Sequence, residues 1–418
     1  MSGSRTSPAR STADPGISDA LSMRAVVLRE PGVPVGVETV LLEPPRRGEV
    51  LVRVAAAGVC HSDLHLADGN LGKGRWPMVL GHEGAGVVTA VGADVTGLVP
   101  GDHVAFCFVP ACGACRACRS GRRNLCGPAG THALAGMLMD GTSRLRSPDG
   151  SVIQHGLMVA CFAEHTVLPM AGAVVIPDEI PLWQAALLGC GVVSGIGAVN
   201  NAAHVGIGES VCVIGCGGVG LQVIAGARLA GAATIVAIDR DAGKLGLARR
   251  RGATDVFDAT AVNVTAEVLA RTGGGVDHAF EVVGTAATIR QAWEVLRPGG
   301  TAIVLGLAPW GVEVPIPAID FLSEKTIRGS YYGSADMHAF LPGLVGLLMA
   351  GRLDLAEVVS DLIELDGVND ALERLRRGEG SRSVAIIDPQ LAGASAGSSV
   401  HPGESLAASR PAGERHEP

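Results

Sequence analysis

The first half of the chain is built from short apolar, β-branched runs that are cut at frequent intervals by glycine and proline. An apolar strand opens at Met23, and residues 50–55 and 86–91 are further runs of this kind. Short strands bounded by turn residues are typical of an all-β barrel or sandwich. The pattern therefore predicts a barrel-like β domain from residue 23 to about residue 194.

The pattern changes after residue 194 to an alternation of buried strands and amphipathic helices. The strand-like runs are 211–214, 234–239, 277–283 and 301–305, and the helical runs between them are 219–230, 241–251 and 287–296. Such alternation predicts a doubly wound parallel sheet over residues 195–332. Residues 333–388 add a helix and final strands, and we expect them to return to the first domain. The predicted fold class is α/β, a β-barrel domain joined to a Rossmann-type sheet.

Both ends of the chain differ from this pattern. Residues 1–22 are rich in Ser, Thr, Pro and Arg, and residues 389–418 are rich in Gly, Ser and Ala. Because small and polar residues bury too little surface to order a segment, we predict a flexible tail at 1–22 and a disordered tail at 389–418. The first segment has no apolar centre, so it does not resemble a secretory signal.

Composition narrows the class of protein. The 418 residues are 47% hydrophobic and 18% charged, which fits a globular chain, and the net charge of -8 argues against nucleic acid as a partner. No apolar run free of charges and of Gly or Pro breaks is long enough to span a bilayer, so no membrane partner is expected. Ten cysteines without an export signal favour metal ligation in a reducing cytoplasm.

Four cysteines crowd into residues 112–126, within a lobe that we place at 107–127, and give the strongest local signal. They are Cys112, Cys115, Cys118 and Cys126. Four thiolates at this spacing can surround one zinc tetrahedrally with no open position, which predicts a structural site. Two alternatives are a pair of disulfides and a zinc ribbon for nucleic acid. The reducing context opposes the first, and the lack of interleaved aromatic residues opposes the second.

A glycine-rich loop follows the first strand of the parallel sheet and opens a helix. Its residues are Gly215, Gly217, Gly218, Val219 and Gly220. Glycines let the backbone approach a pyrophosphate, and the helix N-terminus favours its negative charge. Asp239 ends the next strand and can accept hydrogen bonds from ribose hydroxyls, which favours NAD over NADP, although Arg240 beside it can soften that choice. A simple glycine turn is the alternative.

A third signal is dispersed along the chain. Cys60, His82 and Cys190 together supply two sulfurs and one nitrogen, a set that binds catalytic zinc and leaves the fourth position for water or substrate. Each is ambiguous alone, because a buried cysteine is usually a small apolar residue and a lone histidine is more often structural. Their occurrence with the other two signals favours a second zinc site.

These motifs resemble those of the zinc-containing medium-chain alcohol dehydrogenases. The resemblance covers nearly all of residues 23–388 in order and spacing. Its matching pieces are 58–63, 81–83, the four-cysteine lobe, 188–191, 215–220 and 378–382. The resemblance implies a GroES-like catalytic domain, a Rossmann domain, and an active site in the cleft between them. It also implies two zinc ions per chain, NAD, and reversible oxidation of an alcohol to an aldehyde or ketone.

The resemblance also implies roles for residues around the second zinc site. Ser62 would take the proton from the alcohol, and His65 would pass it to solvent, unless His65 is an ordinary surface histidine. Asp63 would orient the His82 ring. Glu83 either assists ligand exchange at the metal or is a structural carboxylate in an ion pair.

Further positions match the cofactor and substrate sites of the family. His61 and Arg382 match positions that contact the pyrophosphate, and Lys244 matches one that holds the adenosine ribose. Phe108 and Ser194 match positions that line the substrate pocket. An apolar primary alcohol, aromatic or allylic, is the substrate we expect.

One branch of the family, the glutathione-dependent formaldehyde dehydrogenases, shares the stretch Asp140–Arg144 but differs at the substrate anchors. That branch has a tyrosine at His65, and its acid and arginine that hold glutathione fall on Leu71 and Gly130. Oxidation of a thiol adduct is therefore the alternative function, and a zinc-stabilised dinucleotide-binding protein without turnover is another. Relatives pair the region of residues 312–316 across a two-fold axis, so we expect a homodimer or a tetramer of such dimers.

Overall fold

The computed structural model describes residues 20–71 and 75–397 of the chain. Residues 1–19 of the predicted first tail and residues 398–418 of the second therefore lie outside the described residues. The described part forms one closed barrel, a second mixed sheet packed with it, and a separate parallel sheet. This arrangement confirms the predicted α/β fold class.

Five strands close the barrel. They are β1 (Leu21–Leu28), β2 (Gly36–Leu42), β4 (Met78–Val79), β7 (Leu145–Arg146) and β8 (Val152–His155). Their order around the barrel is β1, β2, β7, β8 and β4. β1 and β2 pair antiparallel with Leu21 opposite Leu42. The inner side chains of these strands, such as Val27 and Val40, are fully buried.

A second sheet carries the first part of the catalytic machinery. Its strands are β3 (Glu49–Gly58), β5 (Gly84–Val91), β6 (His103–Phe106), β9 (His165–Pro169), β10 (Ala173–Val175), β17 (Asp361–Ile363) and β18 (Ser383–Ile386). The last strand, β18, pairs antiparallel with β3, with Val384 opposite Gly58. The C-terminal part of the chain thus returns to complete the first domain.

The parallel sheet is built from six strands joined through helices. The strands are β11 (Ser210–Ile214), β12 (Thr234–Asp239), β13 (Asp255–Asp258), β14 (Val276–Glu281), β15 (Leu296–Val304) and β16 (Thr326–Gly329). Their order is β13, β12, β11, β14, β15 and β16. The strand order reverses between β11 and β14, and a crevice for a dinucleotide forms outside the carboxyl ends of the strands at such a point.

Four helices of this sheet start and end at residues suited to those positions. They are α6 (Gly218–Ala230), α7 (Ala242–Arg251), α8 (Val264–Thr272) and α9 (Ala286–Glu294). Side chains of Asp241, Asn263 and Thr285 accept hydrogen bonds from the first turns of α7, α8 and α9. These caps satisfy backbone N–H groups that have no partner within a helix.

The remaining helices belong mostly to the first domain. They are α1 (His61–Ala67), α2 (Arg116–Arg119), α3 (Gly127–Leu134), α4 (Leu182–Leu187), α5 (Val193–Gly197), α10 (Met337–Met349), α11 (Val368–Arg376) and α12 (Pro389–Ala392). Two π-turns, Leu188–Val192 and Ala198–Ala203, join α4 and α5 into one apolar helix of 22 residues.

That long helix corrects the expectation that glycines break every long apolar run. Gly189 and Gly197 stay helical, and a Cβ on either would lie 2.6 Å from a neighbouring carbonyl oxygen, of Phe106 and of Gly333 respectively. The glycines therefore permit close packing. Leu182–Ala203 is the one helix among the described residues that is long and apolar enough to cross a membrane, and 94% of its apolar window is buried inside the fold.

Two boundaries differ from the sequence-based expectation. β1 begins at Leu21, two residues inside the predicted first tail. Residues 389–397 are not a disordered tail, because α12 forms there, Ala392 is fully buried, and the Gly397 N–H donates to the Leu362 carbonyl at 2.9 Å. The segment 312–316 is not paired as a strand within this chain.

Candidate active site

Cys60, His82 and Cys190 meet in the crevice between the two domains. Cys60 follows β3 and caps α1, His82 lies in the loop before β5, and Cys190 lies in the π-turn of the long helix. Their sulfur and nitrogen atoms, with a carboxylate oxygen of Glu83, all lie within 4.8 Å of one another. All four residues are buried, so this donor set is isolated from bulk water.

Asp63 fixes the orientation of the His82 ring. Its Oδ1 lies 3.0 Å from His82 Nδ1 and also accepts the Gly81 N–H at 3.1 Å, while its Oδ2 accepts the Cys60 N–H at 3.2 Å. The opposite ring atom, Nε2, is buried without a hydrogen-bond partner in the described structure. A histidine held by a carboxylate on one nitrogen and free on the other is typical of a zinc ligand, so the residues present fit zinc.

Glu83 and Arg382 form a buried ion pair beside this donor set. Arg382 donates to Glu83 Oε1 at 2.9 Å and to the Val59 carbonyl at 3.1 Å. Burial raises the pKa of Glu83 to about 8, and the neighbouring Arg382 opposes that rise. The guanidinium also lies under Gly191 and Gly218, where an added Cβ would be 2.2 and 3.2 Å from it. Arg382 thus lies between the candidate metal site and the glycine loop.

The proposed proton relay lies on α1. Ser62 Oγ is 3.9 Å from Cys60 Sγ, so its hydroxyl is close to the donor set. His65 lies one turn further along the helix and is half-buried, and burial lowers its pKa. The ring of His61 is exposed and lies 6.4 Å from that of His65 between centroids. The helix therefore presents a hydroxyl and two imidazoles in a row that leads away from the donor set.

The glycine loop has the geometry that a dinucleotide site requires. Gly215 has a φ of +98°, and a Cβ on Gly220 would lie 1.8 Å from the Gly215 carbonyl oxygen, so neither position accepts a side chain. Gly217 caps α6, and nothing lies within 4 Å of where its Cβ would be. That open position at a helix N-terminus, with Val219 in the first turn behind it, is where a phosphate group can approach.

Asp239 ends β12 next to this loop and already has three partners. Its Oδ2 accepts the Cys216 N–H at 2.7 Å, and its Oδ1 accepts the N–H groups of Arg240 and Asp241 at 2.8 and 3.1 Å. Lys244 donates through Nζ to the Gly378 carbonyl at 2.7 Å. The carboxylate therefore stabilises the glycine loop in the free protein through these backbone hydrogen bonds. The sequence motif did not indicate this structural role.

The four-cysteine lobe forms a second donor set. Cys115 Sγ is 3.5 Å from Cys118 Sγ, which is 4.0 Å from Cys112 Sγ, and Cys126 Sγ accepts the Cys112 N–H at 3.3 Å. All ten cysteines are free, which removes the disulfide alternative. Backbone N–H groups of Cys118 and Gly127 lower the pKa of Cys115 to about 6, so a thiolate is favoured there.

Two adjacent tyrosines complete the site and were missed from the sequence. The Tyr332 ring lies 4.4 Å from that of Phe108, and its hydroxyl donates to the Gly189 carbonyl at 2.7 Å. The Tyr331 ring lies 6.3 Å from Phe108, which meets the His82 ring edge-on at 5.3 Å. The one available signal was that the chain has two tyrosines and they are neighbours.

The other positions considered for substrate binding carry no charge. Ser194 is half-buried on α5, four residues after Cys190. Leu71 packs against the hydrophobic core, and Gly130 lies on α3 with open space beside it. Neither of the last two can bind a carboxylate through its side chain.

This chain is similar to several known proteins along most of its length. The alcohol dehydrogenase GroES-like domain matches residues 46–178, and the zinc-binding dehydrogenase domain matches residues 218–345. The S-(hydroxymethyl)glutathione dehydrogenases of Photobacterium damsela subsp. piscicida and Escherichia coli O157:H7 are each 38% identical over 370 residues, covering 87% of this chain and 99% of theirs.

Solved structures give a consistent result. The benzyl alcohol dehydrogenase of Acinetobacter calcoaceticus is 30% identical with a TM-score of 0.84, and the match covers 88% of this chain and all of that one. An alcohol dehydrogenase zinc-binding domain protein from Burkholderia ambifaria is 35% identical with a TM-score of 0.85 and the same coverage. The chain belongs to the zinc-containing medium-chain dehydrogenase family. It is an oxidoreductase whose cofactors are zinc and a nicotinamide dinucleotide.

Proposed function

We propose that this enzyme oxidises an apolar primary alcohol, preferably an aromatic one, to its aldehyde with NAD, and catalyses the reverse reaction. The observation that carries the proposal is the group of aromatic rings beside the candidate zinc ligands. Phe108 meets His82 edge-on at 5.3 Å, and Tyr331 and Tyr332 lie 6.3 and 4.4 Å from Phe108. Edge-to-face contacts with such rings favour a planar aromatic substrate.

Cys60, His82 and Cys190 would hold the catalytic zinc, and Asp63 keeps the nitrogen of His82 directed toward it. When bound, zinc supplies a Lewis acid that lowers the pKa of the alcohol, and the nicotinamide ring accepts the hydride. The four cysteines of the lobe would hold the structural zinc, because they offer four sulfurs in a closed set.

The side chains on α1 move the proton in this proposal. Ser62 Oγ accepts the hydroxyl proton of the alcohol while it passes on its own hydroxyl proton, and His65 accepts the proton at the end of this relay and delivers it to solvent. Because burial lowers the pKa of His65, the neutral imidazole that can accept a proton persists to lower pH than in a free histidine. Arg382 supplies positive charge, and His61 and Arg382 both supply hydrogen-bond donors toward the pyrophosphate.

NAD is the dinucleotide that Asp239 favours. A carboxylate at the end of β12 accepts hydrogen bonds from ribose hydroxyls and repels a 2′-phosphate. The Arg240 guanidinium lies beside Gly378, where an added Cβ would be 3.4 Å from it, and the Gly378 carbonyl also accepts Lys244 Nζ, so Arg240 can still soften this preference.

Oxidation of S-(hydroxymethyl)glutathione is the second candidate, because the curated relatives carry that name at 38% identity. The shared stretch Asp140–Arg144 does not favour it. Arg144 is fully buried in a bidentate ion pair with Glu49, at 2.9 and 2.6 Å, so the stretch supports the barrel and does not touch substrate. Uncharged Leu71 and Gly130 leave no anchor for the glutathione carboxylates at those positions.

A substrate panel separates the two candidates. NADH formation is measured with benzyl alcohol, cinnamyl alcohol, ethanol and S-(hydroxymethyl)glutathione, and each is repeated with NADP. We expect the largest kcat/KM for the aromatic alcohols with NAD. Phe108→Ala should lower kcat/KM for benzyl alcohol more than for ethanol, and Leu125→Ala on the exposed face of the lobe is the matched control. A preference for the glutathione adduct would reject the proposal.

The assembly and location of the enzyme are also proposals. We propose a homodimer, or a tetramer of dimers, in the cytoplasm, with neither nucleic acid nor membrane as a partner. Support for self-association comes from exposed apolar side chains near the unpaired segment 312–316. They are Leu307, Trp310, Val312, Ile319, Phe321 and Leu322. Several exposed apolar side chains in one stretch of chain favour an interface there.

A further inference from the structure

The four-cysteine lobe contacts the backbone that carries the two pocket tyrosines. Asn124 lies in the 3₁₀ turn Arg123–Leu125 of the lobe, two residues before Cys126. Its Nδ2 donates to the Tyr331 carbonyl at 2.9 Å across 207 residues of sequence. Asn124 is only 7% exposed, so water cannot easily replace this partner. We call residues 330–336 the tyrosine segment.

The tyrosine segment has a strained backbone. Tyr332, Gly333 and Ser334 are consecutive residues in the left-handed region, with φ of 56°, 62° and 50°. Non-glycine residues in this region persist only where surrounding contacts hold them, and such strain is concentrated at functional sites. The position of the tyrosine rings therefore depends on what holds the segment from outside.

The contacts that fix the tyrosine segment differ along its length. At Gly333 the chain packs tightly on the long helix, where an added Cβ would lie 2.1 Å from the Val193 carbonyl oxygen, and Asn201 donates to the Gly333 carbonyl at 3.1 Å. Tyr332 is held through its hydroxyl by Gly189. The Tyr331 backbone carbonyl accepts the Ser334 N–H of its own segment at 3.0 Å, and its partner outside the segment is the Asn124 side chain.

Two of the contacts between the lobe and the segment lie beside a narrow cleft of about 10 Å³, room for one water, lined by Cys107, Val109, Asn124, Tyr332 and Met337 among others. The ion pair of Arg123 with Asp336, at 3.4 Å, is partly exposed, and such pairs contribute little. The buried Asn124 hydrogen bond is thus the stronger of these two links.

We propose that Asn124 is a positioning residue through which the cysteine lobe sets the place of the Tyr331 ring in the substrate pocket. Tyr331 forms the half-exposed wall of the pocket opposite Phe108. Without the hydrogen bond, the Tyr331 carbonyl is no longer tied to the lobe, and the Tyr331 ring shifts relative to Phe108. The expected effect on catalysis is a loss of selectivity for aromatic over small alcohols, and this part rests on the proposed function. The placement of the Tyr331 ring by Asn124 does not rest on it.

The test uses the fact that the chain has two tyrosines, both in this segment. Full-length enzyme labelled with 3-fluorotyrosine gives two ¹⁹F resonances, which Tyr331→Phe and Tyr332→Phe assign. In the protein without alcohol, we expect Asn124→Ala and the equal-sized Asn124→Asp to shift or broaden the Tyr331 resonance more than the Tyr332 resonance. Asn263→Asp is the matched control, since an aspartate caps α8 as well as an asparagine does.

Kinetics and metal content complete the experiment. We expect KM for benzyl alcohol to rise about fivefold in both Asn124 variants, the factor that one hydrogen bond represents, with kcat for ethanol unchanged and zinc content equal to wild type. An unmoved Tyr331 resonance would overturn the proposal. Loss of the lobe zinc in both variants would also overturn it, because Asn124 would then serve the lobe itself. If no alcohol is turned over, the proposed function is rejected. The ¹⁹F spectra then still decide whether Asn124 positions the Tyr331 ring.

Discussion

Replacing Asp239 tests the cofactor site, because this carboxylate has two separable duties. It accepts three backbone N–H groups in the free protein, and in the proposed complex it accepts ribose hydroxyls. Asp239→Ala removes both functions. Asp239→Asn keeps the size and one oxygen, but its amide group cannot accept on both sides, so either the Cys216 or the Arg240 N–H loses its acceptor.

The size of each effect follows from the contacts. Cys216 is fully buried, so its N–H without a partner costs about 1–3 kcal/mol, whereas the N–H groups beside exposed Arg240 can turn to water. We expect Asp239→Ala to lower the free energy of unfolding by about 2 kcal/mol. A hydrogen bond to a charged group contributes about 1.5–3 kcal/mol, so KM for NAD should rise about tenfold to a hundredfold.

Two measurements separate the two duties. Chemical unfolding without cofactor reports the support of the loop, and initial rates with NAD and NADP report the contact with ribose. We expect both to change, with the preference for NAD over NADP reduced about tenfold or more. Lower stability with an unchanged preference would show that Asp239 serves only the loop. If the wild-type enzyme prefers NADP, the claim that Asp239 selects NAD is wrong.

Three further predictions address the metal, the relay and the chain boundaries. Cys190→Ala should reduce the zinc content from two ions per chain to one and abolish turnover without unfolding the protein. Metal analysis measures the zinc content, and circular dichroism checks that the variant is folded. A variant that keeps two zinc ions and full activity would contradict the proposed ligand set. Burial lowers the pKa of His65, which favours the neutral imidazole at pH 7. His65→Gln should therefore slow alcohol oxidation most at lower pH, where other bases are scarce, and added imidazole should restore part of the rate. An unchanged pH profile would exclude His65 from the proton relay. A chain cut to residues 20–397 should sediment as an active dimer or tetramer, while removal of residues 389–397 should destabilise it because Ala392 is buried; an active monomer would contradict the proposed assembly.

Local motifs were the part of this site that the sequence predicted best. The four cysteines of the lobe lie within 15 residues, so their spacing alone brings them together. The glycine loop and Asp239 belong to one β-α-β unit, whose geometry is fixed by its strands and helix. Cys60, His82 and Cys190 are far apart in sequence, and the resemblance to a known family was needed to group them.

Contacts between distant segments were not predictable from pattern. Nothing in the neighbourhood of Tyr331 indicates that it lies opposite Phe108, because that contact depends on how the last strand of the parallel sheet passes the first domain. The same holds for buried Arg144, whose partner Glu49 is 95 residues away. The end of the first domain was also placed too early, because Ala392 looks like part of a polar tail until α12 is seen to pack on β3 and α4.

The pairing of β18 with β3 has a consequence for how the chain is made. The strand that carries Cys60 at its end is complete only when residues 383–386 have been synthesised. The parallel sheet, in contrast, uses the continuous stretch 210–329 and its own helices. Domains generally fold as units during synthesis. We therefore expect the cofactor domain to fold first during synthesis, with the metal site acquiring its final shape only after residues 383–386 have been added.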